Sequence, residues 1–163
     1  MKVRLGKWTV LLFTMFYCCT LSVHANTNTL VKQNTEDVFD LIMDRIQKDF
    51  EARINLGQAV KNIPNYLSLY KTTDGSFNDV DYDAKDRTNW SPLVHIERLY
   101  DMAYAYTMPT SENPYFEDEK ILNVIEKGLV FWCEKNPNCS NWWYNQIGEP
   151  QLTGRILIQL RKG

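Results

Sequence analysis

The chain has 163 residues, 44% of them hydrophobic and 23% charged, with only 7 Gly and 6 Pro. That composition excludes a disordered, collagen-like or low-complexity chain and fits one domain with a real core. Eighteen basic against twenty acidic residues leave no cationic surplus, which argues against a nucleic-acid partner.

Lys2, Arg4 and Lys7 precede an apolar stretch over 8–23, and Val23-His24-Ala25 offers a small-x-small cleavage signal. Residues 1–25 therefore read as a secretory signal peptide, giving a secreted or periplasmic protein with no membrane partner after cleavage. A membrane anchor is the competing reading, but the stretch falls short of the roughly 20 apolar residues that a span needs. Lipoprotein processing at Cys18 or Cys19 is disfavoured by the bulky Tyr17. The mature chain keeps 15 basic and 20 acidic residues, a net charge of −5. A polyanionic ligand would have to be recognised by a local site rather than by net charge.

Residues 26–34 are a polar lead-in. From Thr35, with Asn34 or Thr35 as cap, Val38, Leu41, Ile42, Ile46, Phe50 and Ile54 recur at helical spacing. Residues 56–70 form a shorter helix that Pro64 should interrupt or kink. A long polar loop spans 71–89. Ser91-Pro92 then opens a strong helix, Ser at the cap and Pro at its first position, with Leu93, Ile96, Leu99, Tyr100, Ala103 and Tyr104 on its apolar face. Glu117, Asp118 and Glu119 start a third helix, whose stripe is Ile121, Leu122, Ile125, Leu129 and Trp132, and Asn136-Pro137 ends it. After a second loop, a helix beginning near Pro150 carries Leu152, Ile156, Leu157 and Leu160. No useful β alternation appears, so the class is all-α, built from antiparallel helical hairpins.

His95 is the one histidine of the mature chain, with no His or Cys partner at metal spacing. A packing or helix-surface role is favoured over a general base. Asp79, Asp81, Asp83 and Asp86 invite a calcium reading, but an EF-hand loop from Asp79 would meet Ala84 at its glycine position and Trp90 at its acid position. The acids read instead as solvated or capping groups. Neither a metal nor another cofactor is implied. Cys133 and Cys139 are expected to form a disulfide, because an exported compartment permits one and the turn containing Pro137 brings the two together.

The segment Asn141-Trp142-Trp143-Tyr144-Asn145 is the most informative. Indole faces pack against sugar C–H groups and amides pair with hydroxyls, so these are the ingredients of a sugar platform. The alternative is that the indoles plug the helix array, and the residues alone leave the two open.

Asn141-Trp142-Trp143-x-x-Gln146-Ile147-Gly148-x-Pro150 resembles the N-terminal motif of polysaccharide lyase family 8, the lyases of chondroitin, hyaluronan and xanthan. The stretches Asp74-Gly75-Ser76-Phe77-x-Asp79-Val80-Asp81-Tyr82 and Thr88-Asn89-Trp90-x-Pro92-x-x-His95 are similar to it at matching spacing. The resemblance implies an incomplete (α/α) toroid and β-elimination next to a uronate carboxylate, with an acidic polysaccharide as partner. It assigns Asn141, Trp142, Trp143 and Gln146 to substrate binding. It assigns no catalytic residue here, His95 included, because the family's acid–base set lies further along the chain. Gln146 departs from the glutamate common in the family, and the two cysteines are outside its pattern. On this reading residues 35–163 are a shortened N-terminal toroid domain, partnered by the remainder of a lyase. An exposed apolar patch is then expected around Leu152, Ile156 and Leu160. The rivals are a non-catalytic carbohydrate-binding helical module and an unrelated exported all-α protein.

Overall fold

The structure is a computed structural model and describes residues 37–161; the expected signal peptide and lead-in, with the cap at Asn34 or Thr35, lie outside them. The chain divides into two compact units, Met1–Arg45 and Ile46–Gly163. Helix α1 covers 37–51. Of the apolar residues at helical spacing, Val38, Leu41 and Ile42 are exposed while Ile46 and Phe50 are half-buried, and the helix stops before Ile54.

Helix α2, Leu56–Leu69, is capped by Asn55, whose side chain accepts the Gln58 N–H. It runs through Pro64 without interruption. The ring faces solvent there, so the helix loses one hydrogen bond and no packing. Helix α3, Leu93–Thr107, begins one residue later than expected, with Pro92 as its cap. The Ser91 hydroxyl accepts the Asp81 N–H instead of capping α3. Helix α4, Glu119–Lys135, starts at the Asp118 cap and ends on Asn136 in the left-handed conformation. Of the expected stripe Ile121, Ile125 and Trp132 are buried and Leu122 and Leu129 half-buried, with Val124 and Gly128 buried in addition. Helix α5 is Glu149–Leu160. Among the described residues there is no strand, only an isolated bridge between Tyr70 and Phe77. No helix among them is long and apolar enough to cross a membrane.

In the second unit α3 is the central element, packed against α2, α4 and α5. Burial on three sides explains why His95, Ile96, Arg98, Leu99 and every residue from Met102 to Tyr106 are buried together. The direction of each helix follows from contacts at both ends. The Glu117 N–H donates to the Tyr106 carbonyl while His95 stacks on Trp132, so α3 and α4 are antiparallel. Trp132 reaches Glu149, which starts α5 beside the end of α4, and α5 then packs along α3. At the far end Gln159 Nε2 donates to Thr107 Oγ1 at 2.6 Å and to Glu51 Oε1 at 3.0 Å.

The segment expected to be a polar loop is packed. Phe77, Val80 and Trp90 are buried. Arg98 rises from α3 between the rings of Phe77 and Tyr66 and forms a two-point ion pair with Asp79. That pairing holds the Asp79 carboxyl below its usual range. Asp81 accepts the Asp83 N–H, and Asp83 pairs with Lys135. The acids therefore serve turns and ion pairs. Among the described residues no cluster of His, Cys, Asp and Glu is arranged to hold a metal.

Candidate functional site

After α4 the chain turns through 136–141 and re-enters a helix at Trp142. Helix therefore begins eight residues before the expected start near Pro150, and the tandem tryptophans occupy its first turn rather than a loop. Between them and α5 lies a π-helical segment, Tyr144–Gly148, in which the Glu149 N–H reaches the Tyr144 carbonyl. π-Turns accommodate one extra residue and recur at functional sites.

Several hydrogen bonds fix this segment. Asn145 grips the Cys139 backbone at both ends: Oδ1 accepts its N–H and Nδ2 donates to its carbonyl, each at 2.8 Å. Asn141 Oδ1 accepts the Trp143 N–H, an N-cap interaction, and its Nδ2 donates to the Arg87 carbonyl. Ser140 Oγ donates to the Lys85 carbonyl, and Lys85 Nζ to the Asn138 carbonyl. Glu149 Oε1 accepts from both Trp132 Nε1 and Thr153 Oγ1. Beneath lies an aromatic floor, with buried Trp90 edge-on to Trp132 and tilted against Tyr144.

On this base Trp142 is 59% and Trp143 43% exposed, with Ile147 beside them also exposed. Trp143 folds over Gly148, where a Cβ would come within 2.6 Å of its six-membered ring. The indoles that plug the array are Trp90 and Trp132. The pair Trp142–Trp143 does not. Gln146 is exposed, whereas the Asn141 amide is already engaged in its cap and its bond to residue 87.

The cysteine expectation is corrected. Cys133 and Cys139 are both free. Cys133 is exposed on α4, while the Cys139 thiol is buried, donates to the Asp86 carbonyl at 2.9 Å and accepts the Asn141 N–H. Asn145 pins the Cys139 backbone in that orientation, so the turn is closed by an amide instead of a bridge. The expected apolar patch on the last helix is also corrected. Ile156 is fully buried against α3 and Leu152 and Leu160 are half-buried, leaving Leu157 exposed.

His95 is fully buried. Its Nε2 lies 2.9 Å from the Gly128 carbonyl, which only accepts, so Nε2 carries the proton. Nδ1 then accepts from the Tyr82 hydroxyl, which itself accepts the Phe77 N–H. Burial pushes His95 down to about 4 and Tyr82 up to about 12. A neutral imidazole with both nitrogens bonded inside the core is a packing residue, as the sequence favoured.

The residues of the upstream motif are thus scaffold: Asp79, Tyr82, Trp90 and His95 all bond or stack inward. Those of the downstream motif present aromatic surface. The model of polysaccharide lyase family 8, N-terminal alpha-helical domain, matches residues 26–163. This chain belongs to polysaccharide lyase family 8. It is 30% identical over 150 residues to chondroitinase-AC of Pedobacter heparinus, covering 91% of this chain and 21% of that protein. A solved structure of chondroitinase AC lyase, from a study of its active site in oligosaccharide complexes, matches with a TM-score of 0.67 and 32% identity. That match covers 76% of this chain and 18% of the other. The chain thus spans about a fifth of the length of these relatives. The helical hairpins expected from the sequence are those of the family's N-terminal α-helical domain.

Sequence reasoning missed the Asn145 clamp, the Glu149 bridge between Trp132 and Thr153, and the Tyr82 bond to His95. Tyr82 and His95 both stood in the quoted motifs, and Asn145 stood in the tryptophan segment as an amide read for sugar hydroxyls; Glu149 carried no signal.

Proposed function

We propose that residues 35–163 form the sugar-gripping helical domain of an exported lyase that cleaves uronate-containing polysaccharides of the chondroitin or hyaluronan type by β-elimination. Residues 1–25 act as the export signal. In this reading Trp142 and Trp143 form an aromatic wall for the polymer, with the exposed Gln146 amide available to its hydroxyls and Asn141 holding the wall in place. The acid–base groups come from the remainder of a family 8 lyase.

One observation carries the reading. Two adjacent indoles stay exposed although the segment bearing them is fixed by hydrogen bonds at Cys139, Ser140, Asn141 and Asn145. Large apolar side chains held rigidly in water lose little entropy on binding and gain apolar contact, which is the economy of a sugar platform. An indole covering ~100 Å² of apolar sugar surface contributes about 2.5 kcal/mol before ordering costs and about 1–2 kcal/mol after them.

The test is titration of the chain with chondroitin and hyaluronan oligosaccharides, followed by indole fluorescence. Each of Trp142→Ala and Trp143→Ala should weaken binding about tenfold. No increase in unsaturated-uronate absorbance is expected from this chain incubated with either polymer. Unchanged binding in both variants would remove the platform from the reading, and robust turnover would remove the need for the family's other segments.

A further inference from the structure

Near the start of the tryptophan helix the chain carries a cation that the fold does not use. The Asn141 Nδ2 bond to the Arg87 carbonyl, at 3.0 Å, and the Ser140 Oγ bond to the Lys85 carbonyl, at 2.6 Å, lay residues 85–87 alongside the start of the tryptophan helix. The neighbouring cations are committed. Lys85 Nζ donates to the Asn138 carbonyl, Lys135 pairs with Asp83, and Arg98 pairs with Asp79. Arg87 is exposed, and among the described residues its guanidinium has no hydrogen-bond, ion-pair or ring partner. Its backbone is anchored while its head group is free.

We propose that Arg87 is the anion-recognising residue of the Trp142–Trp143 platform, pairing with a carboxylate or sulfate of an acidic polysaccharide. The inference rests on the platform reading above and gives it a charge preference. Indoles bind the apolar faces of sugars and do not by themselves separate a neutral sugar from an acidic one. A chain whose residues 26–163 carry 15 basic and 20 acidic groups does not attract a polyanion through net charge. Acceptance of an acidic polymer therefore needs a local cation at the edge of the aromatic surface. The planar guanidinium fork matches the oxygens of a carboxylate or a sulfate better than an ammonium does. A cation at an exposed rim acts chiefly on capture and on salt dependence.

The experiment titrates the full chain with three hexasaccharides of matched length: hyaluronan, chondroitin 4-sulfate, and hyaluronan with its carboxyls reduced to alcohols. Arg87→Gln should weaken the two acidic ligands roughly threefold to tenfold and flatten their salt dependence. It should leave the neutral ligand and the thermal midpoint unchanged, and Arg87→Lys should recover part of the loss. A loss confined to the sulfated ligand assigns the pairing to sulfate, and equal losses on both acidic ligands assign it to carboxylate. Equal weakening of all three ligands, or of none, overturns the assignment while Trp142→Ala still reports on the platform. Failure of the unaltered chain to bind any of the three overturns the platform and Arg87 together.

Discussion

The Tyr82 hydroxyl donates to His95 Nδ1 at 2.8 Å while the opposite ring nitrogen donates to the Gly128 carbonyl at 2.9 Å. One imidazole thereby ties the segment before α3 to the middle of α4. The core around it is aromatic, with Phe77, Phe131 and Trp132 against the ring, and it offers no acid to balance a charge. Protonation would also turn Nδ1 from acceptor to donor, against a hydroxyl whose other bond is the Phe77 N–H.

A pH dependence follows. His95 titrates near 6.5 when unfolded and at about 4 when folded, so between these values the unfolded chain binds the extra proton. Stability from this group is complete above about pH 6.5, declines as pH falls toward 4 and is flat below, a loss of about 3 kcal/mol. Burial raises the carboxyls of Asp101 and Glu97, which act in the opposite sense just above the usual carboxylate range. Urea unfolding of the unaltered chain and of His95→Gln at pH 7 and 4.5 isolates the histidine. The variant should be weaker at pH 7, with much of the gap closed at pH 4.5. An equal gap at both values would show that the imidazole does not carry this dependence.

Gly75 has φ +85°, and a Cβ there would come within 2.5 Å of the Lys127 carbonyl oxygen. Gly75→Ala thus meets a left-handed backbone and a helix main chain that cannot yield, and should cost roughly 2–4 kcal/mol. Gly154, inside α5 with nothing near its Cβ position, is the control. Gly154→Ala should stabilise by about 0.5–1 kcal/mol through helix propensity. Thermal melts of the two variants should move in opposite directions.

Helices α3 and α4 were legible from their long periodic stripes, and in α4 the stripe also coincides with caps. Asp118 precedes an acidic first turn, and Asn136 supplies the left-handed stop. The packed course of 71–92 was not. Its buried residues Phe77, Val80 and Trp90 are too widely spaced to form a period, and the partners that cover Phe77 and Trp90, Arg98 of α3 and Trp132 of α4, come from elsewhere in the chain. The site was half legible. Tandem tryptophans announce aromatic surface, but whether indoles face water or core depends on a floor made by Trp90 and Trp132, distant in sequence. The π-turn left no trace in composition, because one extra residue between Trp143 and Glu149 changes no pattern of polarity.

The two thiols should behave differently. Exposed Cys133 should react rapidly with a thiol reagent in the folded protein, whereas Cys139, buried and bonded to the Asp86 carbonyl, should react only on unfolding. In protein lacking residues 1–25, and with them Cys18 and Cys19, titration before and after denaturant should therefore count one fast thiol and one masked thiol. Asn145→Ala, which removes both bonds to the Cys139 backbone, should destabilise by about 1–3 kcal/mol and unmask the second thiol. Absence of any titratable thiol in unreduced protein would restore the bridge that the sequence suggested.

The four tryptophans among the described residues provide the sharpest separation of scaffold from surface. Trp90 and Trp132 are 2% and 7% exposed, packed edge-on to one another, and each indole N–H is bonded, to the Ala84 carbonyl and to Glu149. Truncating either leaves a cavity and removes a hydrogen bond, so Trp90→Ala or Trp132→Ala should cost about 3–5 kcal/mol. Trp142 and Trp143 bury far less, and each truncation should cost less than about 1 kcal/mol. Of the two, Trp143→Ala should cost more, because its ring covers Gly148 and packs edge-on to Tyr144. Denaturant melts of the four alanine variants, set beside their binding isotherms, should fall into two groups with opposite signatures. The Trp90 and Trp132 variants should lose stability, and the Trp142 and Trp143 variants should lose affinity. Large stability losses at Trp142 or Trp143 without a separable binding defect would make those indoles structural after all.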